Sequence, residues 1–372
     1  MHILLTGGGS GGHLFPLIAV GRQLKKLGQD QNIDVKLYYM GPDDFGRDFL
    51  ELENIKVVRI SAAKWRRYAS AYNVLDIFKI PFGVLKAFWN LFWIMPDLVF
   101  SKGGYGSLPA LFVSRLYRIP VMIHESDSVP GIANKYAAGF AKKIFTSFDA
   151  ATQSFKKEKT IQTGNPVREE LFGCAREDSR ETFNVRFRKP LLLVLGGSQG
   201  AQKINDIVVN TLPHLLERYE IIHQCGLGNF EEIKELAAKE YKSELLQGYH
   251  PFGLLKEGEL CAAYGACDLI ISRAGANSIY EIARTGKPSI IIPLSSSAGN
   301  HQFENAHAYA KHGACTVLDE QNLAPNLFLE TIASIMNDEA KIAAMSAAAK
   351  EFSRPRAALT IAENLFEFLR SN

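Results

Sequence analysis

The hydrophobic and polar positions of this 372-residue chain repeat one local pattern twice, about half a chain apart. Ile3–Thr6 is a short apolar run, followed by a glycine loop and an amphipathic stretch over Pro16–Leu27. Leu191–Leu195 precedes another glycine loop and a second amphipathic stretch, about Ala201–Leu216. Each unit is typical of a strand, a glycine turn and a helix. The sequence therefore predicts two doubly wound α/β domains.

Further short apolar runs, flanked by Gly or Pro, alternate with helical stretches, as buried parallel strands do. The clearest are Asp97–Ser101, Val121–His124, Lys143–Thr146, Ile221–Gln224, Asp268–Ser272 and Ser289–Pro293. Turn residues at Gly164-Asn165-Pro166 follow the last strand of the first half. We therefore predict an N-terminal domain over 1–165 and a C-terminal domain over 166–354. An amphipathic helix, Ala357–Leu369, lies within a terminal segment of about 355–372, and we expect it to pack back on the first domain.

Composition narrows the class of protein. A net charge of +3 and a charged fraction of 22% argue against a strongly basic nucleic-acid binder and against disorder. The five cysteines are odd in number and form no CxxC pair, which predicts reduced, buried thiols rather than a zinc site or a disulfide framework. The N-terminus has no basic segment followed by an apolar one, so we expect a cytoplasmic location.

The glycine loops carry the first candidate chemistry. Gly7–Gly12 would expose backbone N–H groups at a helix start, which makes an anion site suited to a diphosphate. No Gly-Lys-Ser/Thr follows, so the loop is not a P-loop. His13 comes next, and two interpretations stay open: a general base toward a sugar hydroxyl, or a capping histidine. Gly196–Gly200 would form the same kind of phosphate-binding site. A turn that only connects strand to helix is the plainer alternative for both loops.

Two segments of the second half supply candidate ligand contacts. In Ser272–Glu281, Ser278 and Glu281 have capping-box spacing, and we favour this structural role over a carboxylate on ribose hydroxyls. Ser295–Gln302 is a polar loop directly after a strand, where parallel α/β sheets bind ligands. A solvated loop without function is the alternative.

The segment Lys64–Phe100 combines many aromatic residues with flanking cations. Charges and Pro81 interrupt it too often for a membrane-spanning helix. An apolar surface rimmed by cations suits the interface of an anionic membrane, whereas ordinary core helices are the alternative. The residues predicted to form this membrane patch are Lys64, Arg66, Arg67, Lys79, Trp89 and Trp93.

At several places the sequence resembles one family. The motifs run in order from Gly7–Pro16 through Gly103–Ser107, His124-Glu125, Pro130-Gly131, Asn134-Lys135, Gly164–Arg168, Gly196–Ala201, Arg273–Lys287 and His301-Gln302, ending near Asn305-Ala306. Together they resemble the MurG family of glycosyltransferase family 28. These bacterial enzymes transfer N-acetylglucosamine from UDP-GlcNAc to lipid I, the undecaprenyl-diphospho-muramoyl-pentapeptide, to make lipid II in peptidoglycan synthesis.

The resemblance implies a GT-B fold, with two Rossmann-like domains and an interdomain cleft, and an inverting transfer that needs no metal or other cofactor. It implies UDP-GlcNAc and a polyprenyl-diphosphate lipid as substrates, and a peripheral location on the anionic cytoplasmic face of the cell membrane. Nucleic acid is not expected as a partner, whereas cell-wall synthesis proteins are.

The resemblance also implies site residues. Donor contacts are expected at Arg168, Gly197, Ser198, Gln199, Gly200, Ala276, Glu281, His301 and Gln302. Contacts to the acceptor diphosphate are expected at Ser10, Gly11, Gly12, Gly104, Tyr105, Asp127 and Asn134. His13 is the candidate base, accepting the proton of the attacking hydroxyl as UDP leaves, and Asp127 is a weaker catalytic candidate.

The chain departs from the family at one point near the acceptor. The family usually reads His-Glu-Gln-Asn where this chain has His124-Glu125-Ser126-Asp127, which adds a negative charge beside an anionic acceptor. Three other functions stay open at this point: a related transferase acting on another lipid such as diacylglycerol, a non-catalytic nucleotide-sugar-binding membrane adaptor, and a nucleotide-sugar epimerase of similar architecture.

Overall fold

A computed structural model describes residues 1–8, 11–42, 46–60, 71–185, 189–197, 200–242 and 245–371; at 71–80 and 298 it describes the backbone. The chain forms two compact units. The first comprises 1–168 together with 354–372, and the second comprises 169–353. The first unit therefore continues to Arg168, slightly beyond the boundary expected at 165.

The first unit is built on a parallel sheet. Its strands are β1 (His2–Thr6), β2 (Lys36–Gly41), β3 (Lys56–Arg59), β4 (Leu98–Ser101), β5 (Val121–Glu125), β6 (Lys143–Thr146) and β7 (Thr160–Gln162). They lie in the order β3-β2-β1-β4-β5-β6-β7. The chain thus reverses direction across the sheet between β1 and β4, and such a switch point is where open α/β sheets bind ligands.

The described helices of this unit that precede its last strand are α1 (Gly11–Asp30), α2 (Arg47–Leu52), α3 (Ala71–Ile94), α4 (Leu108–Leu116), α5 (Ile132–Ala138) and α6 (Asp149–Gln153). The amphipathic pattern predicts a first helix over about Pro16–Leu27. Instead α1 begins at Gly11 and contains Pro16. Pro16 is the sixth residue of α1, just after the first turn, so it removes one N–H donor from the early part of the helix.

The second unit repeats the plan. Its strands are β8 (Leu191–Leu195), β9 (Glu220–Gln224), β10 (Tyr249–Phe252), β11 (Leu269–Ser272), β12 (Ser289–Ile291) and β13 (Cys315–Val317), in the order β10-β9-β8-β11-β12-β13. Its helices are α7 (Arg176–Thr182), α8 (Gln202–Arg218), α9 (Phe230–Glu240), α10 (Glu257–Ala266), α11 (Ala276–Thr285), α12 (His301–Lys311), α13 (Pro325–Met336) and α14 (Glu339–Phe352). All registers are parallel, and the switch point lies between β8 and β11. The prediction of two doubly wound parallel sheets is confirmed.

The last helix, α15 (Ala357–Ser371), returns to the first unit. Its apolar stripe, which includes Ile361 and Leu365, joins the core cluster that also holds Leu17 and Leu24 of α1. Polar contacts add to this packing: Lys143 Nζ donates to Asn364 Oδ1 at 2.6 Å. None of the helices in the described ranges combines the length and the apolar character that a membrane crossing requires.

The cysteines correct part of the sequence prediction. Cys174 and Cys261 form a disulfide with a Cα–Cα distance of 5.9 Å, although 87 positions separate them. The spacing rules missed this pair because the fold, not the sequence, brings the segment before α7 against α10. Cys225, Cys267 and Cys315 are buried free thiols, as predicted.

Candidate functional site

In the first unit, the loops at the switch point meet through glycines. The loop after β1 packs so closely on the loop after β4 that a Cβ placed on Gly8 would lie 2.8 Å from the Cα of Gly106. Gly103 and Gly104 have φ values of 82° and 80°, a region that side chains with a Cβ rarely adopt. Backbone therefore lines this end of the sheet, and a ligand can approach it closely.

His13 lies in the first turn of α1, beside this glycine-lined edge. A Cβ placed on Gly104 would be 3.0 Å from His13 Nε2, so the imidazole lies directly against the loop after β4. Gly11 and Gly12 precede it in the same turn, where backbone N–H groups have no intrahelical acceptor. The structure thus brings three predicted acceptor-side residues together at one helix N-terminus, whereas Ser10 lies outside the described residues.

A second group of predicted residues follows β5. The Glu125 carboxylate accepts hydrogen bonds from the backbone N–H of Asp127 at 3.1 Å and of Gly131 at 2.9 Å, and from Asn134 Nδ2 at 2.9 Å. Burial, followed by the charge of Asp127, raises the pKa of Glu125. Asn134 thus holds the carboxylate, and a Cβ on Gly103 would lie 2.8 Å from its Nδ2.

A buried lysine that the sequence analysis missed lies beside these residues. Lys102 follows β4 and is only 2% exposed, yet its Nζ lies 2.6 Å from His124 Nδ1 and 2.7 Å from Asn165 Oδ1. Burial lowers the pKa of Lys102 to about 7, although the charges of Glu125 and Asp127 act to raise it. The sequence shows Lys102 directly before Gly103-Gly104, but it does not show that the lysine is buried.

The remaining predicted residues of this half are placed separately. Tyr105 begins a short 3-10 turn, Tyr105–Ser107, at the same edge. Arg168, which we grouped with the donor residues, is the last residue of this stretch of the first unit, and its guanidinium carbon lies 4.0 Å from the ring centroid of Phe15 in α1. This cation–π contact anchors Arg168 beside α1.

In the second unit, the switch point is lined by the loop after β8. Gly197 and Gly200 have φ values of 77° and 75°. A Cβ on Gly200 would lie 2.2 Å from Asn229 Nδ2 and 2.7 Å from the carbonyl oxygen of Cys225, so only glycine fits there. Ser198 and Gln199 lie outside the described residues, and their predicted donor contacts stay predictions.

Glu281 corrects a second expectation. The capping-box interpretation is wrong, because α11 is capped by Gly275, and Ser278 and Glu281 both lie inside the helix. The Glu281 carboxylate, 9% exposed, instead accepts a hydrogen bond from the Tyr264 hydroxyl of α10 at 3.1 Å. Ala276 is the first residue of α11, at the carboxyl end of β11. Glu281 therefore does not have the position at the helix start that the capping box requires.

The polar loop after β12 is held by a buried ion pair. Arg273 Nη2 pairs with Glu320 Oε1, and the second oxygen of Glu320 accepts from the backbone N and the hydroxyl of Ser295, at 3.2 and 2.7 Å. Burial alone would raise the pKa of Glu320, but hydrogen bonds from Ser295 and Arg273 outweigh it and lower that pKa. The sequence did not point to Glu320, because this residue follows β13 whereas the loop that it holds follows β12.

The end of this loop begins α12 and presents the predicted sugar contacts. Gln302 Oε1 accepts from the backbone N of Leu294 at 3.0 Å, and its own backbone N donates to Ser297 Oγ at 3.3 Å. His301 is the first residue of α12 and is partly exposed. Asn300 just before it has a φ of 60°. The loop is therefore a defined structure and not a loose connection.

The predicted membrane patch includes an exposed apolar face on α3. Phe82, Leu85, Trp89, Phe92 and Trp93 recur at helical spacing and are more than half exposed; we call them the α3 apolar face. The opposite side of α3 is buried against α4, through residues such as Ala87 and Leu91. The tryptophans are therefore not core residues. Lys64, Arg66 and Arg67 lie outside the described residues, as does the side chain of Lys79.

Comparison with family models gives the same two halves. The model described as the glycosyltransferase family 28 N-terminal domain matches residues 3–146, and that of the C-terminal domain matches residues 191–361. The two matches fall on the two sheets described above, and each includes the glycine loop at its switch point.

Individual proteins agree with the family models. The chain is 37% identical, over 98% of its length and 99% of the relative's, to a Bacillus cereus protein named UDP-N-acetylglucosamine--N-acetylmuramyl-(pentapeptide) pyrophosphoryl-undecaprenol N-acetylglucosamine transferase 2. The crystal structure of Acinetobacter baumannii MurG is similar with a TM-score of 0.74 and 25% identity, covering 98% of this chain and 99% of that one. A UDP-GlcNAc 2-epimerase from Neisseria meningitidis has a TM-score of 0.68 at 14% identity, covering 99% and 100%, a likeness of fold alone.

Proposed function

Because the chain belongs to glycosyltransferase family 28, we propose that it transfers N-acetylglucosamine from UDP-GlcNAc to the undecaprenyl-diphospho-muramoyl-pentapeptide, which converts lipid I to lipid II. The observation that carries the proposal is 37% identity, over 98% of the chain, to a relative named for this transfer. The glycine-lined switch points support it, since each presents backbone at the edge of a sheet where a diphosphate would bind.

We assign the reaction to direct displacement at the anomeric carbon. The acceptor hydroxyl attacks, His13 takes its proton, and UDP leaves with inversion. The position of His13 in the first turn of α1 supports this role, because the neighbouring N–H groups would hold the acceptor diphosphate nearby. The runner-up base is a carboxylate of the Glu125–Asp127 loop: either Asp127, the weaker catalytic candidate, or Glu125, whose pKa is raised by burial.

Apart from Arg168, which ends this stretch of the first unit, we place the donor contacts in the second unit. Gly197 and Gly200 would hold the UDP diphosphate, Ala276 would lie near the uracil, and Glu281 would bind the ribose. His301 and Gln302, at the start of α12, would contact the sugar. The ordered loop after β12 supports the last assignment, because Gln302 is bonded to Leu294 and Ser297 in the loop that leads into these two residues.

A direct assay tests the function. Purified protein is incubated with labelled UDP-GlcNAc and a panel of acceptors: polyprenyl-diphospho-muramoyl-pentapeptide, a polyprenyl diphosphate without the sugar, and diacylglycerol. We expect label only on the first. Label on diacylglycerol would support a transferase for another lipid. Binding without transfer would support an adaptor, and release of an epimerised UDP-sugar without any acceptor would support an epimerase.

We expect turnover to be independent of divalent metal. The sequence has no Asp-x-Asp after a strand, and the two glycine loops offer N–H donors to the developing diphosphate charge. Turnover should therefore be unchanged in excess EDTA. If EDTA abolished turnover and Mg²⁺ or Mn²⁺ restored it, this account of leaving-group stabilisation would be wrong.

We also propose that the α3 apolar face binds the cytoplasmic face of the membrane as a peripheral contact. Exposed apolar patches of this kind are typical of interaction surfaces. Two exposed cations lie next to exposed leucines in the sequence: Lys86 follows Leu85 on α3, and Arg115 precedes Leu116 on α4. Such cations would be attracted to anionic lipid headgroups. The acceptor's lipid chain would then lie in the same membrane.

Substituting Trp89 and Trp93 with serine should weaken binding to anionic vesicles measured by co-sedimentation. The side chains are 59% and 78% exposed, so the melting temperature should hardly change. Turnover of a water-soluble acceptor analogue should survive. Leu52→Ser is the control, because Leu52 is as exposed as Trp93 but lies on α2. A double variant that bound vesicles as well as the wild type would remove the α3 apolar face from the proposal.

A further inference from the structure

Lys102 is a buried cation at the edge where the acceptor would bind. Lysine is almost never fully buried without a compensating partner. Here the backbone N of Lys102 donates to Thr6 at the end of β1, which places the residue at the switch point itself. Its side chain reaches His124 and Asn165, both fully buried, and both partners are neutral groups. Burying a charge in this way costs desolvation energy, which indicates that the charge of Lys102 has a function.

The contacts fix the protonation of His124. Because an ammonium group only donates, His124 Nδ1 is the acceptor of the bond from Lys102. The proton therefore sits on Nε2, which donates to the carbonyl oxygen of Gly164 at 3.0 Å. Burial and the neighbouring charge of Lys102 hold the pKa of His124 well below its ordinary value. His124 is thus a neutral, fully engaged side chain and not a free base.

The same charge faces the carboxylates that follow β5. Glu125 and Asp127 favour the charged form of Lys102, and they lie on the loop that departs from the usual family pattern. A carboxylate at 127 beside an anionic acceptor would be repulsive unless a cation offset it. His13 lies near Lys102, because a Cβ placed on Gly7 would be 3.4 Å from the Cβ of His13 and 3.5 Å from the Cβ of Lys102. The titratable groups around Lys102 are therefore His13, His124, Glu125 and Asp127.

We propose that Lys102 is a positioning residue of the acceptor half: its ammonium group fixes His124 and Asn165 and supplies the positive charge that lets a diphosphate bind beside Glu125 and Asp127. This inference rests on the proposed function. It assigns a role to the buried charge and accounts for the acidic residue at 127.

The sign of the pH dependence follows from the lowered pKa. Lys102 is charged below about pH 7 and neutral above it, so its help to an anion is present at low pH and is lost as pH rises. The acceptor kcat/KM of the wild type should therefore fall above about pH 7. Two pH units above its pKa, only about 1% of a lysine is charged, which sets the size of the fall in kcat/KM on the alkaline side of the pH profile. We call this fall the alkaline limb.

The test compares Lys102→Met with the wild type from pH 6.5 to 9. At pH 6.5 the variant should have a roughly 10- to 100-fold lower acceptor kcat/KM, the usual size for a bond to a charged group. The two proteins should converge toward pH 9, while UDP affinity measured by calorimetry stays the same. A merely structural role would lower activity by the same factor at every pH, and that result would overturn the inference. Lys142→Met is the control, because Lys142 is exposed in the same unit.

A second variant covers the case in which Lys102→Met fails to fold. Asp127→Asn removes one of the charges that raise the Lys102 pKa, so the alkaline limb should move to lower pH. An unmoved limb would contradict the inference.

Binding of farnesyl diphosphate, followed by calorimetry over the same pH range, needs no sugar transfer. If the chain binds this probe with the expected pH dependence but transfers no sugar, the proposed function fails and the role of Lys102 stands. If it transfers sugar and the Lys102→Met ratio is constant with pH, the function stands and the role of Lys102 fails.

Discussion

Replacing His13 with alanine is expected to lower turnover roughly 10²–10⁴-fold, the usual range for loss of a general base. Affinity for UDP, measured by calorimetry, should be nearly unchanged, because all the proposed donor contacts except Arg168 lie in the second unit. The wild-type rate should also fall as pH drops and the imidazole takes up a proton. Turnover and acceptor KM are measured separately for His13→Ala and His13→Gln over pH 5.5–9.

The two open roles of His13 give different kinetics. If His13 only binds the acceptor phosphate, its loss should raise the acceptor KM, and turnover at saturation should be less affected. Near wild-type turnover at saturating acceptor would end the general-base proposal and make Glu125→Gln the next variant to measure. His214→Ala is a suitable control, since His214 is an exposed histidine on α8.

Glu281→Ala should weaken UDP binding by about 1.5–3 kcal/mol, the range for a hydrogen bond to a charged group. The Tyr264 hydroxyl donates to this carboxylate, so the variant would lose both the proposed ribose contact and this internal bond. Calorimetric titration with UDP measures the first effect, and thermal unfolding measures the second. Glu330→Ala, an exposed change on α13, is the matched control.

Tyr264→Phe separates the two effects of Glu281. It removes the hydroxyl but leaves the carboxylate, so UDP affinity should fall by less than in Glu281→Ala. If Glu281→Ala lowers only the melting temperature and leaves UDP affinity intact, the carboxylate is structural and the ribose assignment is wrong.

The strands were predictable because parallel strands buried on both faces are continuous apolar runs, and Leu191–Leu195 is one in both sequence and structure. The start of α1 was not, since its first turn begins with glycines of the loop, which carry no apolar side chain that could contribute to the periodic pattern. The capping box failed for a related reason: Ser278 and Glu281 have the right spacing, but the helix begins before both of them.

The least predictable features join segments that are distant in sequence. The bond of Lys102 to Asn165 spans 63 positions, and the disulfide of Cys174 and Cys261 spans 87. Periodicity and spacing describe only local neighbours. Glycine loops were found from sequence because their function depends on local backbone, whereas buried charge networks depend on which strand ends lie side by side.

The return of α15 to the first unit has a consequence for the order in which the protein is made. Because synthesis runs from the N-terminus, α1 leaves the ribosome before the whole second unit and α15 leaves it after that unit. The apolar side chains of α1 that pack with Ile361 and Leu365 therefore stay uncovered until α15 has emerged. Domains generally fold as they emerge, so the second unit can fold on the ribosome while the first still lacks one wall of its core. A nascent chain stalled before residue 354 should accordingly bind chaperones through its N-terminal half, and release should follow completion of the last helix.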